Sequence, residues 1–418
     1  MTQKTPAQTI DFSVAYYSGD RKTGAITIID RLNGDTMQLN IEVLPESENQ
    51  LAPKKIFVGL TADKKVVILD PESKEILFET EFPADAFAAH KYADPNSNRD
   101  WYMNDGDKAT GNDSLNCGDN GSSVTIIEES DSNNAKFLKT VCVGRGHHQA
   151  NFSYPSKDNP NVPNQAYISN LKDGTVSVID NDSAHETSFL SVIETINLCE
   201  PEKEDSDKQV PNNAFPHGLV YSPVSGKVYN LNNGYGTIAI IDPLSHQIEQ
   251  RMAFNGHSNL FLSPCGRYVI GRGADRKSDA DHVIAKLTVL DATNNQIMDS
   301  LDIPDIYISK YFFNPEGSRL YLTTSSSGSE AQQSNLKTDA LLVFDMSALP
   351  VLKLVNEVRL GSSSGTLDFA LKDQLTELVF SSNAAEGAIA VMDVDGNLME
   401  KISVGESMAH SRLWMMPS

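Results

Sequence analysis

The chain has 418 residues, more than one conventional hydrophobic core supports, which predicts two or three domains or a repeat architecture. Apolar residues make up 39% and aromatic residues 7%, lean for one large core but adequate for many thin sheets that each bury two faces. Formal net charge is -22, from 56 acidic and 34 basic residues without any run of Lys or Arg. Nucleic acid and anionic membranes, which need clustered cations, are therefore set aside as partners.

No apolar run approaches the roughly 18 residues of a membrane-spanning helix. Met1 to Ser13 holds one lysine and no apolar stretch, so the chain as written reads as cytoplasmic, or as periplasmic if a signal has been removed. The four cysteines show no Cys-x-x-Cys spacing. Cys117 and Cys142 flank one expected hairpin. They either pair in an oxidising compartment or stay as buried thiols.

In chain order, one short apolar strand closed by an acid recurs eight times. The copies are residues 25–30, 65–70, 124–128, 175–180, 237–242, 286–291, 340–345 and 388–393, and successive acids lie 40 to 62 residues apart. Before most copies comes another strand, as in residues 165–170, 227–230 and 319–324. Before that comes a turn built on Pro and Gly, as in residues 222–227, 263–267 and 314–319. After the acid come a turn and a polar outer strand, as in residues 296–303 and 397–404. Each unit thus reads as four antiparallel strands, A to D. One such sheet cannot bury both faces alone, and radial stacking of sheets solves this.

The expected fold is all-β, a β-propeller in a single domain over residues 1–418. Residues 409–417 match residues 256–264 at His, Ser, Leu and Pro, so the chain ends on an A strand. That strand is expected to join the N-terminal blade and close the ring. Eight C strands but seven A strands favour seven blades over eight. Residues 1–45 then form an added hairpin or an incomplete blade.

Phe215-Pro-His-Gly-Leu-Val-Tyr-Ser-Pro223, followed by Lys227-Val-Tyr-Asn230 and Ile238-Ala-Ile-Ile-Asp242, resembles the YVTN-repeat β-propellers, and similar pieces cover residues 55–418. The wider resemblance reaches nitrous oxide reductase, thiocyanate dehydrogenase, cytochrome d1 domains and the heavy subunit of methylamine dehydrogenase. Such a resemblance is specific for fold and weak for function. It implies a copper cluster, a haem or no cofactor.

Six of the nine histidines fall at or just before A strands: His90, His147, His148, His217, His257 and His410. Inner strands of a propeller converge on one axis, so these residues are candidate metal ligands, neutral imidazole being a good ligand for copper, zinc or iron. The adjacent pair in Gly146-His-His-Gln149 resembles the copper-cluster propellers, which favours copper. Haem is disfavoured because no Cys-x-x-Cys-His attachment occurs. The alternative is a set of repeat histidines that hydrogen-bond between blades. His185, His246 and His282 read as surface residues.

Two later A strands carry Lys310 and Asp368 instead. Lys310 is a candidate to hold an anionic substrate and Asp368 a candidate base, with a structural salt bridge as the alternative. The Asp-, Asn- and Gly-rich stretch from Trp101 to Asn120 is a candidate calcium loop, but it departs from EF-hand spacing, which favours a plain polar loop. Cys199 to Asn213 reads as a solvated loop. No phosphate loop, nucleophile elbow or His-Glu-x-x-His motif occurs. The expected function is metal-dependent oxidoreduction of a small molecule or anion, with a redox partner protein. The rival is a non-catalytic scaffold that binds a protein or ligand through loops on one face.

Overall fold

A computed structural model of the chain describes residues 88–104, 117, 121–129, 135–204, 209–361, 367–383, 386 and 388–403. It also describes, as strands, residues 9–19, 26–30, 37–40, 56–60, 65–69, 76–81 and 411–416. The strands β1 (Thr9–Gly19), β2 (Ile26–Asp30) and β3 (Met37–Asn40) form one sheet, in which β1 also pairs with the last strand of the chain, Ser411–Met416. A three-stranded sheet follows: β4 (Ile56–Leu60), β5 (Lys65–Leu69) and β6 (Ile76–Glu81).

Six four-stranded antiparallel sheets then run in chain order. The first is β7 (Ala88–Ala93), β8 (Arg99–Asn104), β9 (Ser122–Glu129) and β10 (Ala135–Val143); the second is β11 (His147–Ser153), β12 (Gln165–Asn170), β13 (Thr175–Asp180) and β14 (Val192–Asn197). The third is β15 (Pro216–Ser222), β16 (Lys227–Asn232), β17 (Thr237–Ile241) and β18 (Ile248–Ala253); the fourth is β19 (Asn259–Leu262), β20 (Tyr268–Asp275), β21 (Ile284–Asp291) and β22 (Gln296–Pro304). The fifth is β23 (Ile308–Phe313), β24 (Arg319–Thr324), β25 (Ala340–Asp345) and β26 (Lys353–Arg359); the sixth is β27 (Leu367–Lys372), β28 (Leu375–Asn383), β29 (Ala388–Met392) and β30 (Leu398–Ser403). The closing strand Ser411–Met416 is β31.

The chain divides into two compact units. One holds residues 1–54, 279–283 and 304–418; the other, hereafter the central unit, holds residues 55–278 and 284–303.

The expectation of a closed seven-bladed ring is overturned. Among the described residues the strands make eight separate sheets, seven of four strands and one of three, and none of them closes or curls into a ring. Each sheet uses its ladder hydrogen bonds internally and ends in edge strands. Among the described residues the sheets are separate and open, and the expected closed propeller is not found.

Within a sheet, burial falls from the inside outward. Every residue of β12 and β13 is buried, whereas the first four residues of β14 are exposed. Apolar side chains from facing sheets form the cores. Trp101 and Met103 of β8 pack against Phe152 and Ile168 of the next sheet, and the Trp101 and Phe152 rings meet edge-on at 5.4 Å.

In three successive sheets the acid that closes the C strand ties down its own hairpin. Asp291, 1% exposed, accepts from the Thr293 amide and hydroxyl at 3.0 and 2.7 Å and from two nitrogens of Arg267. Asp242 does the same with Ser245 and Lys227, and Asp345 with Ser347 and Arg319. Arg267 beside it and the Thr293 donors hold the Asp291 carboxyl at about 2, against the opposing effect of burial. Asp291→Ala is expected to cost about 2 kcal/mol of stability, the worth of hydrogen bonds to a buried charge. Arg267→Ala, at a half-exposed position, should cost under about 1 kcal/mol. Urea unfolding of both variants checks the order; equal costs would contradict it.

Three pairs of consecutive sheets are tied in the same way, from a B strand to the C–D turn of the next sheet. The Tyr229 hydroxyl donates to the Ala292 carbonyl at 3.0 Å, Tyr321 donates to Val394 at 2.6 Å, and Arg99 donates to the Asn181 carbonyl at 2.9 Å. The stretch expected to be a solvated loop is anchored instead. Glu200 is 3% exposed and accepts from Thr237 and Lys203. Burial alone would raise its carboxyl pKa, but these two partners hold it below the ordinary value.

Cys117 and Cys142 form a disulfide across 25 residues of sequence separation. It fixes the approach to β9 onto β10. Residues 105–116 and 118–120, most of the candidate calcium loop, lie outside the described residues.

Candidate functional site: the bulged starts of three neighbouring strands

In the central unit the first strands of successive sheets lie side by side, β7 next to β11, β11 next to β15, and β15 next to β19. Three of them carry a bulge at the same place. The last residue of each second strand, Asn104, Asn170 or Asn232, faces Ala88, His147 or Pro216. The next rungs are His90 with Met103, Ala150 with Ile168, and Gly218 with Leu231, so the first strand gains a residue each time. Bulges re-aim side chains and recur beside active sites. His148 and His217 occupy equivalent bulge positions on adjacent strands, and His90 sits one residue further along.

His217 is the best-defined of these residues. Its Nδ1 faces the Ser258 carbonyl and donates to it, which leaves Nε2 with the lone pair. Burial is the main cause that lowers its pKa; the Ser258 carbonyl opposes this, and the charges of Arg272 and His90 push it further down. The imidazole is thus neutral near pH 7, the form that a metal ion or a transferred proton requires. His90 is exposed, its ring 6.4 Å from that of Tyr92.

His257 has a different role. It is 7% exposed, its Nε2 lies 2.9 Å from the Thr288 hydroxyl, and its ring stacks on Phe254 at 4.0 Å. A Cβ at Gly271 would come within 2.2 Å of the Phe254 ring and 2.9 Å of the His257 ring, so glycine there is what admits the pair. Burial pushes the His257 pKa down to about 4. This histidine is a packing element of its sheet.

For His147 and His148 the backbone alone is described, and His410 lies outside the described residues. Lys310 and Asp368 belong to the other unit. Lys310 is exposed and follows a bulge like that of His90, whereas half-buried Asp368 faces Phe380, further into its strand. The two are therefore not equivalent.

Among the outer histidines, His185 lies 3.0 Å from Asp180, and Ser188 donates to the same carboxylate at 2.5 Å. The serine hydroxyl goes to the acid and not to the imidazole, so the trio closes a turn and activates no nucleophile. His246 bonds Gln165, and His282 bonds Asp305.

Among the described residues, no group of three or more His, Cys, Asp or Glu is placed to hold a metal ion. Residues that the sequence did not point to are Ser258, Arg272 and Gln149. A carbonyl carries no compositional signal, and Gln149 is marked only by following the His-His pair.

No protein-family model matches the chain, and no curated protein matches it. Among solved structures, the chain is similar to a candidate 6-phosphogluconolactonase of Bacteroides uniformis, at 13% identity and a TM-score of 0.50 over 96% of this chain and 99% of that one. A second, from Bacteroides fragilis, matches at 12% identity and a TM-score of 0.51 over 96% and 98%. A protein from Lactobacillus plantarum matches at 14% identity and a TM-score of 0.50 over 96% and 99%. These likenesses concern the fold alone. They do not single out the YVTN repeats.

Proposed function

We propose that the central unit binds a transition metal, copper foremost, at the bulged starts of β7, β11 and β15, and uses it in the oxidoreduction of a small molecule or anion. The observation that carries this reading is His217 itself: a neutral imidazole at the bulge of β15, fixed through Nδ1 to the Ser258 backbone carbonyl. A carbonyl bond of that kind is how proteins orient a metal-binding imidazole. His217 and His90 would hold the metal together with His147 and His148 of the intervening strand. His257 is left out of the set because its Nε2 is committed to Thr288. Bound copper would supply one-electron chemistry. The chain's own part is to keep His217 unprotonated and its ring in place.

Lys310, Asp368 and His410 carry no part in this proposal. The Cys117–Cys142 bridge supports an oxidising, extracytoplasmic home. Among the described residues no helix is long and apolar enough to cross a membrane.

The test is elemental analysis after copper reconstitution and desalting. Wild type and His257→Gln should each retain at least about one equivalent, and a His90→Ala/His217→Ala variant should retain none. Equal retention by all three, or by none, overturns the reading. In the second case the scaffold alternative gains ground. One observation favours it: outer strands expose apolar pairs, such as Val192 with Ile193 and Ile297 with Met298, and exposed edge strands are natural docking surfaces.

A further inference from the structure

The bulge in β11 leaves a backbone-accounting problem that one residue resolves. His148 and Gln149 together oppose Ser169, so the ladder is interrupted there. Every buried backbone N–H and C=O still needs a partner. The Ser169 hydroxyl supplies both: the Gln149 amide donates to Ser169 Oγ at 3.1 Å, and Ser169 Oγ donates back to the Gln149 carbonyl at 3.3 Å. The bulge is thereby fixed in shape.

The Gln149 side chain then crosses to the next sheet. Its Oε1 accepts from the Leu219 amide at 3.1 Å, and its Nε2 donates to the Leu219 carbonyl at 3.2 Å. Gln149 is 8% exposed, so both bonds form away from water. A carboxamide that closes on both polar groups of one residue acts as a single rung between β11 and β15. Two residues further on, Asn151 makes a plainer tie, its Oδ1 accepting from the Tyr221 amide at 2.8 Å. Gln149 is directly bonded to His148, and Leu219 lies two residues after His217. The rung therefore joins the two bulges at the point where the equivalent histidines sit.

We propose that Gln149 is a positioning residue whose two-point clamp on Leu219 sets the separation and orientation of the bulges that carry His148 and His217. The inference deepens the metal-site reading above and rests on it for its metal readout. It has a second readout that needs no metal. If the clamp fixes β15, loss of the clamp will loosen the His217–Ser258 bond and move the Nδ1 resonance of the imidazole at a fixed pH.

The experiment compares wild type, Gln149→Met and Asn151→Leu. Gln149→Met keeps the length and apolar bulk of the side chain but can make neither bond. Asn151→Leu removes a tie between the same strands away from the histidines. Two measurements are made: the His217 Nδ1 resonance, which reports the bond to Ser258, by NMR of metal-free protein at one pH, and copper affinity by competition with a chelator. Gln149→Met should shift the His217 Nδ1 resonance and weaken copper at least about tenfold, whereas Asn151→Leu should leave the resonance in place and copper affinity within about twofold of wild type. A merely structural role would lower the melting temperatures of the two variants alike and move neither readout, which would overturn the proposal. If wild type takes up no copper, the metal reading fails, and Gln149 is judged on the His217 Nδ1 resonance alone: a shift supports positioning, and an unchanged resonance overturns it. Should Gln149→Met not fold, Gln149→Glu, which keeps the acceptor for the Leu219 amide, takes its place with the same expected outcomes.

Discussion

Replacement of both Cys117 and Cys142 by serine is expected to destabilise the protein by about 3.5 kcal/mol. The estimate follows from the loop that the bridge closes, since tying two points 25 residues apart removes conformational freedom from the unfolded chain. For a folding unit of this size the loss corresponds to a drop in melting temperature on the order of 10 °C. Reduction with dithiothreitol should reproduce the drop in wild type and do nothing further to the double variant. Thiol titration of the unfolded, unreduced chain should find two free thiols, Cys199 and Cys265. Four free thiols from protein matured in an oxidising compartment would show that the bridge does not form. The same result would remove the support for an extracytoplasmic home.

The second large effect is acid sensitivity caused by His257. In the unfolded chain this imidazole takes up its proton near pH 6.5. In the folded protein burial holds it neutral down to about pH 4. Between those two values the unfolded state binds more protons, so stability falls as pH falls. The contribution is fully present above about pH 6.5, is lost progressively toward pH 4, and is flat below that. Its full size is about 3 kcal/mol. His257→Gln should abolish this part of the pH dependence. The difference in unfolding free energy between variant and wild type should therefore change by about that amount between pH 7 and pH 4. Parallel curves for the two proteins would contradict the burial-driven shift. The effect also separates the histidines by role, because His257→Gln should alter stability against pH and leave copper retention unchanged.

Much of the local structure was legible in the order of residues. The eight acid-closed apolar strands, the Pro and Gly turns before the second strands and the polar outer strands all have counterparts in the sheets. These features are local: alternation and turn chemistry act over a few residues and do not depend on what packs against them. Asp291 illustrates the reason, since its carboxylate caps a turn two residues away and pairs with the arginine that precedes the adjacent strand.

The candidate site was legible only in part. Histidines at the starts of first strands marked the region, but the same pattern suggested that His217 and His257 were alike. Tertiary structure separates them, because His257 meets Phe254, Gly271 and Thr288 while His217 meets the Ser258 carbonyl and the charge of Arg272. The bulges were invisible for a related reason. One extra residue moves every later side chain to the other face, and only pairing with the neighbouring strand reveals where that residue lies.

The number and closure of the sheets were also decided in three dimensions. A repeat dictates that sheets form, since each strand's alternation already separates a buried face from an exposed one. It does not dictate how many sheets form or whether they close. Those outcomes depend on contacts between sheets, such as the Gln149 clamp and the Tyr229 and Tyr321 ties, whose partners stand 63 to 73 residues apart.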